Sequence, residues 1–502
     1  MFASAVRLLL AGLAASATAY ITAGGEVVIP GASSYNGLNL VPQMGWNNWN
    51  AYHCDVSEEL LLKTAEAMVT YGLRDLGYNY VVLDDCWSIG RNESGYLLHN
   101  PVKFPSGMKS IADKLHAMKF KFGMYSSAGV FTCGRYPGSL GFEQKDADTF
   151  ASWGVDYLKY DNCYNQGQSG TPQLSFNRYN VMSKALNNTG RPMVYAMCNW
   201  GNDDPYDWAY TIANSYRMSG DIYDSFQRPD SRCPCTETPC NWPGFHCSVM
   251  NILNKMAPIT SRTQPGAFND MDMLEVGNGG QSDSEYVLHF SMWAMMSSPL
   301  LMGTNIPGLS PAHLSILSNP AVIALNQDVT GTSAVRKWRE VITDDVDDDG
   351  QGEVALWTRV MNNGDTVIAL INAANSSRTM RATAKDIFLD QATAGTYLPA
   401  PELSTPYDVY DLWVNRMSDD EAASVLAGNA TSIGANSTSV TRYNATALGY
   451  AQGLSQDHPA LFGKKVGRLA PGGVWEAQVD RHSVGLFRLR NATQASRAKD
   501  EL

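Results

Sequence analysis

Two short stretches carry groups whose types and spacing could do chemistry together. In Lys159-Tyr160-Asp161 a cation stands two residues before a carboxylate. Residues two apart on a strand share a face, and a neighbouring cation favours the ionised acid, the form a nucleophile needs. In Arg217-Met218-Ser219-Gly220-Asp221, Arg217, Ser219 and Asp221 share one parity if the strand runs on. Two carboxylates facing a sugar are the machinery of glycoside hydrolysis, which leaves Arg217 to bind hydroxyls. Each pair taken alone is equally what a structural ion pair at a strand end looks like. Asp84-Asp85 is a doublet suited to vicinal hydroxyls. No His or third carboxylate lies nearby at ligand spacing, so no metal is expected. Trp46, Trp49, Tyr125, Trp200 and Asp272 complete the set, with flat rings that can stack on a sugar, although tryptophan is more often core. There is no Gly-x-Ser-x-Gly and no Walker loop, and no cofactor is expected.

These groups need elements that bring them to one place. Tyr80-Val81-Val82-Leu83 is a buried-strand run ending in Asp84-Asp85, and Phe122-Gly123-Met124 ends in Tyr125-Ser126-Ser127. Tyr157-Leu158 runs into Lys159 and Asp161, and Met193-Val194-Tyr195 ends near Cys198-Asn199-Trp200. Helical stretches lie between. Ser57 can cap one, with Glu58 and Glu59 in its first turn, Gly72 past its end, and an apolar stripe from Leu60 to Val69. Strands alternating with helices imply a parallel sheet. Reactive residues at every strand end match a (β/α)8 TIM barrel over residues 38–330, whose chemistry sits at the C-terminal ends of its strands. An open doubly wound sheet would call for a Gly-rich phosphate turn, and Met44-Gly45-Trp46 is not one. After Asp328 the texture becomes strands and turns, with one short helix at Asp419–Leu426, so residues 331–490 read as an antiparallel β-sandwich. Asp344 to Gly350 resembles a calcium loop, but Leu356 stands where an EF-hand starting at Asp345 needs Glu, and a hairpin turn is the better reading.

Bulk properties narrow the class. At 502 residues the chain exceeds what one core usually organises, and 44% hydrophobic residues is a globular share. A net charge of -12 argues against nucleic acid and anionic membranes as partners. Arg7, the apolar run Leu8 to Ala15 and Ala17-Thr18-Ala19 form a signal-peptide pattern, so residues 1–19 are set aside, followed by an N-terminal extension at 20–37. Export makes the 9 cysteines disulfide formers, with at least one odd thiol, and argues against zinc in the Cys233 to Cys247 cluster. It also makes sequon positions Asn92, Asn187, Asn375, Asn429, Asn436, Asn444 and Asn491 candidates for glycans. The tail 491–502 ends in Lys-Asp-Glu-Leu, a receptor-read signal for retrieval to the endoplasmic reticulum, with secretion as the alternative. A homo-oligomer is compatible with all of this.

The motifs resemble glycoside hydrolase family 27, and most closely its fungal, yeast melibiase-type α-galactosidases. The resemblance rests on Met44-Gly45-Trp46-Asn47-Asn48-Trp49-Asn50, Leu83-Asp84-Asp85-Cys86-Trp87, Tyr125-Ser126-Ser127-Ala128-Gly129, Asp156 to Cys163, and Arg217 to Asp221. Arg228 to Cys235 and Gly244 to Ser248 are similar to an insert of that subgroup. The resemblance implies a retaining enzyme that removes terminal α-D-galactose, with Asp161 as nucleophile and Asp221 as acid/base. It implies substrate contacts from Trp49, Asp84, Asp85, Tyr125, Lys159, Cys198, Asn199, Trp200, Arg217 and Asp272. It implies bridges Cys54–Cys86, Cys133–Cys163, Cys233–Cys247 and Cys235–Cys240, which leaves Cys198 as the odd thiol. Cys198-Asn199-Trp200 looks like the bulkier galactose version of the pocket near C2. Tyr216, Phe268 and Met271 depart from the family's usual residues and touch fine preference rather than chemistry. An α-N-acetylgalactosaminidase and a non-catalytic sugar-binding protein of the secretory pathway are the alternatives.

Overall fold

The computed structural model describes residues 36–493 except 229–231, 234–245, 390–399 and 429–442, together with a backbone hairpin of Tyr20–Ile21 against Val27–Val28. The signal-peptide pattern, most of the extension, the Lys-Asp-Glu-Leu ending, Cys235, Cys240, Asn429 and Asn436 lie outside the described residues.

Eight parallel strands form the first sheet: β1 Met44–Asn47, β2 Tyr80–Val82, β3 Lys121–Ser127, β4 Tyr157–Asp161, β5 Val194–Cys198, β6 Ser215–Arg217, β7 Phe268–Asp270 and β8 Leu300–Met302. They neighbour one another in sequence order from β1 to β7, and β8 returns to pair with β1. The ring closes through Leu274, just past β7, which makes a parallel bridge to Met302. Helices follow the strands, among them α1 Glu58–Thr70, α2 Met108–Ala117, α3 Glu143–Trp153, α4 Pro172–Asn188 and α5 Val249–Met256. The Ser57 hydroxyl accepts the N–H of Leu60, and α1 buries Leu61, Thr64, Ala65 and Met68 on the expected stripe. Such capping satisfies an N–H that the helix cannot pair internally. Gly45 is required by close approach, because a Cβ there would lie 2.3 Å from the carbonyl oxygen of Tyr80 on β2.

The second region is built on a six-stranded antiparallel sheet: β9 Val335–Val341, β10 Glu353–Val360, β11 Thr366–Asn372, β13 Tyr407–Asp411, β14 Lys464–Leu469 and β16 Ser483–Asn491. A two-stranded sheet, β12 Arg378–Thr383 with β15 Val474–Val479, packs on one face through Met380, Ala382 and Val479 against Leu356, Ile368 and Leu370. The other face, with Ala355, Trp357, Ala369 and Ile371, joins the same apolar core as the barrel. Central strands β10 and β11 are covered on both faces, which is why they read as continuous apolar runs rather than as alternations. Arg359 crosses between the regions, donating to the carbonyls of Ala294 and Met295 at the end of helix α6, Asp283–Met295. Asp344 to Gly350 is the turn between β9 and β10, where Oδ1 of Asp347 accepts the N–H groups of Asp349 and Gln351. The short helix falls at Asp419–Leu426, as its pattern requires.

Candidate active site

The C-terminal ends of the barrel strands converge on a cavity of about 740 Å³. Its floor is strand-borne. On β4, Lys159 pairs in register with Tyr125 of β3, and Asp161 with Ser127. Both β4 side chains reach the cavity, as their shared parity requires. Asp161 is 6% exposed, with Oδ1 accepting the N–H of Asn162 at 2.8 Å and Oδ2 the hydroxyl of Tyr125 at 2.8 Å. Lys159 does not bond Asp161 directly; its Nζ lies 2.7 Å from Oδ2 of Asp84, which also accepts from Asn47. Burial opposes the charge on Lys159, but Asp84, with Asp161 behind it, outweighs that and keeps the ammonium charged. For Asp161 the balance tips the other way. Burial pushes its carboxyl up to about 6, against the pull of Lys159 and helped by the charge of Asp221. Desolvation therefore wins over the neighbouring cation, contrary to what the spacing of the two residues suggests.

The rim is loop-borne. Strand β6 ends at Arg217, so the parity argument does not extend to Asp221, which lies four residues farther on an irregular segment with a 56% exposed side chain. Tertiary contacts turn it back to the cavity. Its carbonyl accepts the N–H of Cys247, the N–H of Ile222 donates to Oδ2 of Asp272, and Arg217 bridges the Asp221 and Asp272 carboxylates at 3.1 and 2.8 Å. Asp272 reaches this position from a left-handed backbone conformation at φ 77°, and Cys86 and Trp200 sit in the same region of dihedral space at other strand ends. Such strain persists only where surrounding contacts over-determine it and is concentrated at functional sites. Oδ1 of Asp270 supplies one such contact by accepting the N–H of Asp272.

Of the residues expected at the site, Trp49, Asp84, Tyr125, Lys159, Asp161, Trp200, Arg217, Asp221 and Asp272 line the cavity. Asp85, Cys198 and Asn199 stand behind that wall. Asp85 accepts the N–H groups of Cys86 and Gly134. Asn199 donates to the carbonyl of Asn202, and Cys198 lies beneath Arg217 with Sγ 3.6 Å from its Nη1. Trp46 is fully buried, its indole N–H on the carbonyl of Thr304. Sequence reasoning missed the outer wall: Asn50, His53, Tyr223, Asp224, Glu275 and Asn278. The signal lay in Glu275-Val276-Gly277-Asn278-Gly279-Gly280, a glycine-rich loop just after a barrel strand. Burial pushes the Glu275 carboxyl up to about 8, against the amides of Asn278 and Asn50.

Disulfides brace the same loops. Cys54–Cys86 joins the segments after β1 and β2, Cys133–Cys163 those after β3 and β4, and Cys233–Cys247 holds the strand-like segment against Asp221 and Ile222. Cys198 is free and buried. Among the described residues no helix is long and apolar enough to cross a membrane.

Two carboxylates of opposite environment on one cavity at a barrel mouth, ringed by aromatic side chains and hydroxyl-binding groups, define a glycosidase-type site. The family model described as alpha galactosidase A matches residues 41–328, and that of the alpha galactosidase C-terminal beta sandwich domain matches residues 351–442. An α-galactosidase of Lachancea cidri is 55% identical, covering 92% of this chain and 97% of that one. The solved α-galactosidase of Saccharomyces cerevisiae, 50% identical, covers 91% of this chain and 99% of its own with a TM-score of 0.86, and a second structure of that enzyme, with raffinose, gives 0.87. α-Galactosidase I of Mortierella vinacea is 41% identical with a TM-score of 0.75, covering 91% of this chain and 98% of its own. The chain belongs to glycoside hydrolase family 27, in its yeast melibiase-type branch.

Proposed function

We propose that this protein is a retaining α-galactosidase that releases terminal, non-reducing α-D-galactose, with Asp161 as nucleophile and Asp221 as acid/base. The observation that carries the reading is the division of labour on one cavity wall. Asp161 is buried and oriented by Tyr125 and Asn162, whereas Asp221 is exposed to water and to a departing group. In the first step an oxygen of Asp161 bonds to the anomeric carbon as the glycosidic C–O bond breaks, and Asp221 gives its proton to the leaving oxygen. In the second, Asp221 takes a proton from water as that water displaces Asp161, which restores both groups. Another sugar hydroxyl in place of water makes the same step a transfer.

The galactose would rest on the floor, with hydroxyls on Asp84, Lys159 and Arg217, support from Asp85, Cys198, Asn199 and Asp272, and rings at Trp49, Tyr125 and Trp200. The outer wall at Asn50, Tyr223 and Asn278 leaves room for a leaving group that is itself a sugar. The Saccharomyces cerevisiae relative solved with raffinose fits that class of substrate. Three disulfides suit a secretory-pathway protein. Asn92, Asn187, Asn375 and Asn444 are exposed and free to carry glycans, and the Lys-Asp-Glu-Leu ending would return the chain to the endoplasmic reticulum. The test is turnover of p-nitrophenyl α-galactoside against p-nitrophenyl α-N-acetylgalactosaminide by the purified protein. Hydrolysis of the first alone is expected; preference for the second, or no turnover of either, overturns the reading.

A further inference from the structure

The segment that carries Asp221 is anchored at its far end by the second region of the molecule as well as by the barrel. Beyond Asp221, the carboxylate of Asp224 accepts the N–H of Gly280, the amide of Gln281 and the hydroxyl of Tyr286, all of the barrel region. Two residues farther the second region joins in, while the carbonyl of Phe226 still accepts the N–H of barrel residue Met250. The ring of Phe226 stacks on His482, with centroids 4.6 Å apart and planes inclined by 27°. The amide nitrogen of Gln227 donates one hydrogen to Oδ2 of Asp347 and the other to the carbonyl of Ala373, both at 2.8 Å. Phe226 and Gln227 are 5% and 7% exposed, so water cannot readily replace these contacts.

The anchoring points are themselves fixed. Oδ1 of Asp347 accepts the N–H groups of Asp349 and Gln351 in the turn between β9 and β10. Ala373 directly follows β11, and His482 directly precedes β16. His482 Nδ1 lies 2.6 Å from the carboxylate of Glu285 on α6, the helix whose Tyr286 holds Asp224. Barrel helix, sheet turn and acid/base segment thus form one closed bracket. Asp221 has few other restraints: Arg217 on one side, the backbone contacts of its own and the next residue, and solvent on the rest. A general acid must lie within hydrogen-bond reach of the leaving oxygen, and a misplacement of about 1 Å costs on the order of 10²-fold in rate.

We propose that Gln227 and Phe226 are positioning residues for the acid/base, and that the C-terminal sheet region, through Asp347, Ala373 and His482, sets where Asp221 stands. The inference rests on the assignment of Asp221 as acid/base. It gives the β-sandwich a part in the reaction besides stability. It also separates two kinds of damage. A displaced acid slows only leaving groups that need a proton, whereas general loosening slows every substrate.

The experiment measures kcat/KM of wild type, Gln227→Ala and Phe226→Leu on methyl α-galactoside, whose methoxide must be protonated, and on α-galactosyl fluoride, whose fluoride leaves unaided. Gln227→Ala is expected to lose at least about tenfold on the methyl glycoside while staying within about twofold of wild type on the fluoride. Phe226→Leu, which takes the ring off His482, is expected to show the same split. Equal losses on the two substrates, or none on either, overturn the proposal. If Gln227→Ala does not fold, Phe226→Leu carries the same comparison with the same two outcomes. A wild-type protein inactive on both substrates would instead sink the assignment of function, a distinct result.

Discussion

The floor and the rim of the cavity hold one carboxylate each by different means. Asp161 ends strand β4, in register with Ser127 and Cys198 of the flanking strands, and is nearly sealed from water. Asp221 lies past the end of β6, and contacts from residues 247, 272, 347 and 373, far along the chain, fix its segment. The difference suits the chemistry. A nucleophile must meet one carbon along one line, so a rigid and desolvated mount helps. An acid that becomes a base must exchange protons with water, so exposure helps.

The largest effect expected is at the floor. Asp161→Asn should lower kcat on an aryl α-galactoside by more than about 10⁴-fold, because no covalent intermediate can form. Near-wild-type turnover would break the contrast outright. At the rim, Asp221→Ala should lower kcat/KM on methyl α-galactoside by roughly 10²–10⁴-fold. Added azide should restore turnover of an activated substrate and yield α-galactosyl azide. An Asp221→Ala loss as deep on α-galactosyl fluoride as on the methyl glycoside would erase the distinction between the two groups.

The pH profile sharpens it further. As the proposed nucleophile Asp161 must be ionised, and burial holds its carboxyl at about 6, so kcat/KM should fall as pH drops below that value. Tyr125 donates to the ionised form, so Tyr125→Phe should move the acid limb upward by about one unit. A limb unmoved by that change would assign it to another group. The smallest effect is on stability. A carboxyl raised from 3.8 to about 6 on folding binds more protons in the native state between those values, so its cost to folding is complete above pH 6 and relieved as pH falls toward 4. Asp161→Asn should therefore unfold at a higher temperature than wild type at pH 7, by a difference of at most roughly 3 kcal/mol, and the gap should close near pH 4. A less stable variant at pH 7 would mean that its hydrogen bonds outweigh desolvation.

Much of the floor was legible in the sequence because strands obey a two-residue period. Lys159 and Asp161 face one way on that ground alone, and apolar runs ending in Asp84-Asp85, Tyr125 and Trp200 placed the chemistry at strand ends. The cap at Ser57 and the helix at Asp419–Leu426 were equally local. The two-residue period misled at Asp221, since nothing local marks that β6 stops at Arg217. Spacing also suggested that Lys159 would govern the ionisation of Asp161. The fold gave Lys159 to Asp84 and buried Asp161, and the cost of desolvation exceeded the attraction of the nearby charge.

By itself the sequence determined which side chains could react and which strand ends would carry them, since alternation, capping and turn chemistry are properties of neighbouring residues. Only the tertiary structure decided how Asp221 returns to the cavity, which of the expected residues stand on its wall, and that Glu275 and Asn278 complete the outer side. It also decided that a β-sandwich turn reaches the segment that carries Asp221. Those outcomes depend on contacts between residues up to more than a hundred positions apart, and on burial, which no local pattern encodes.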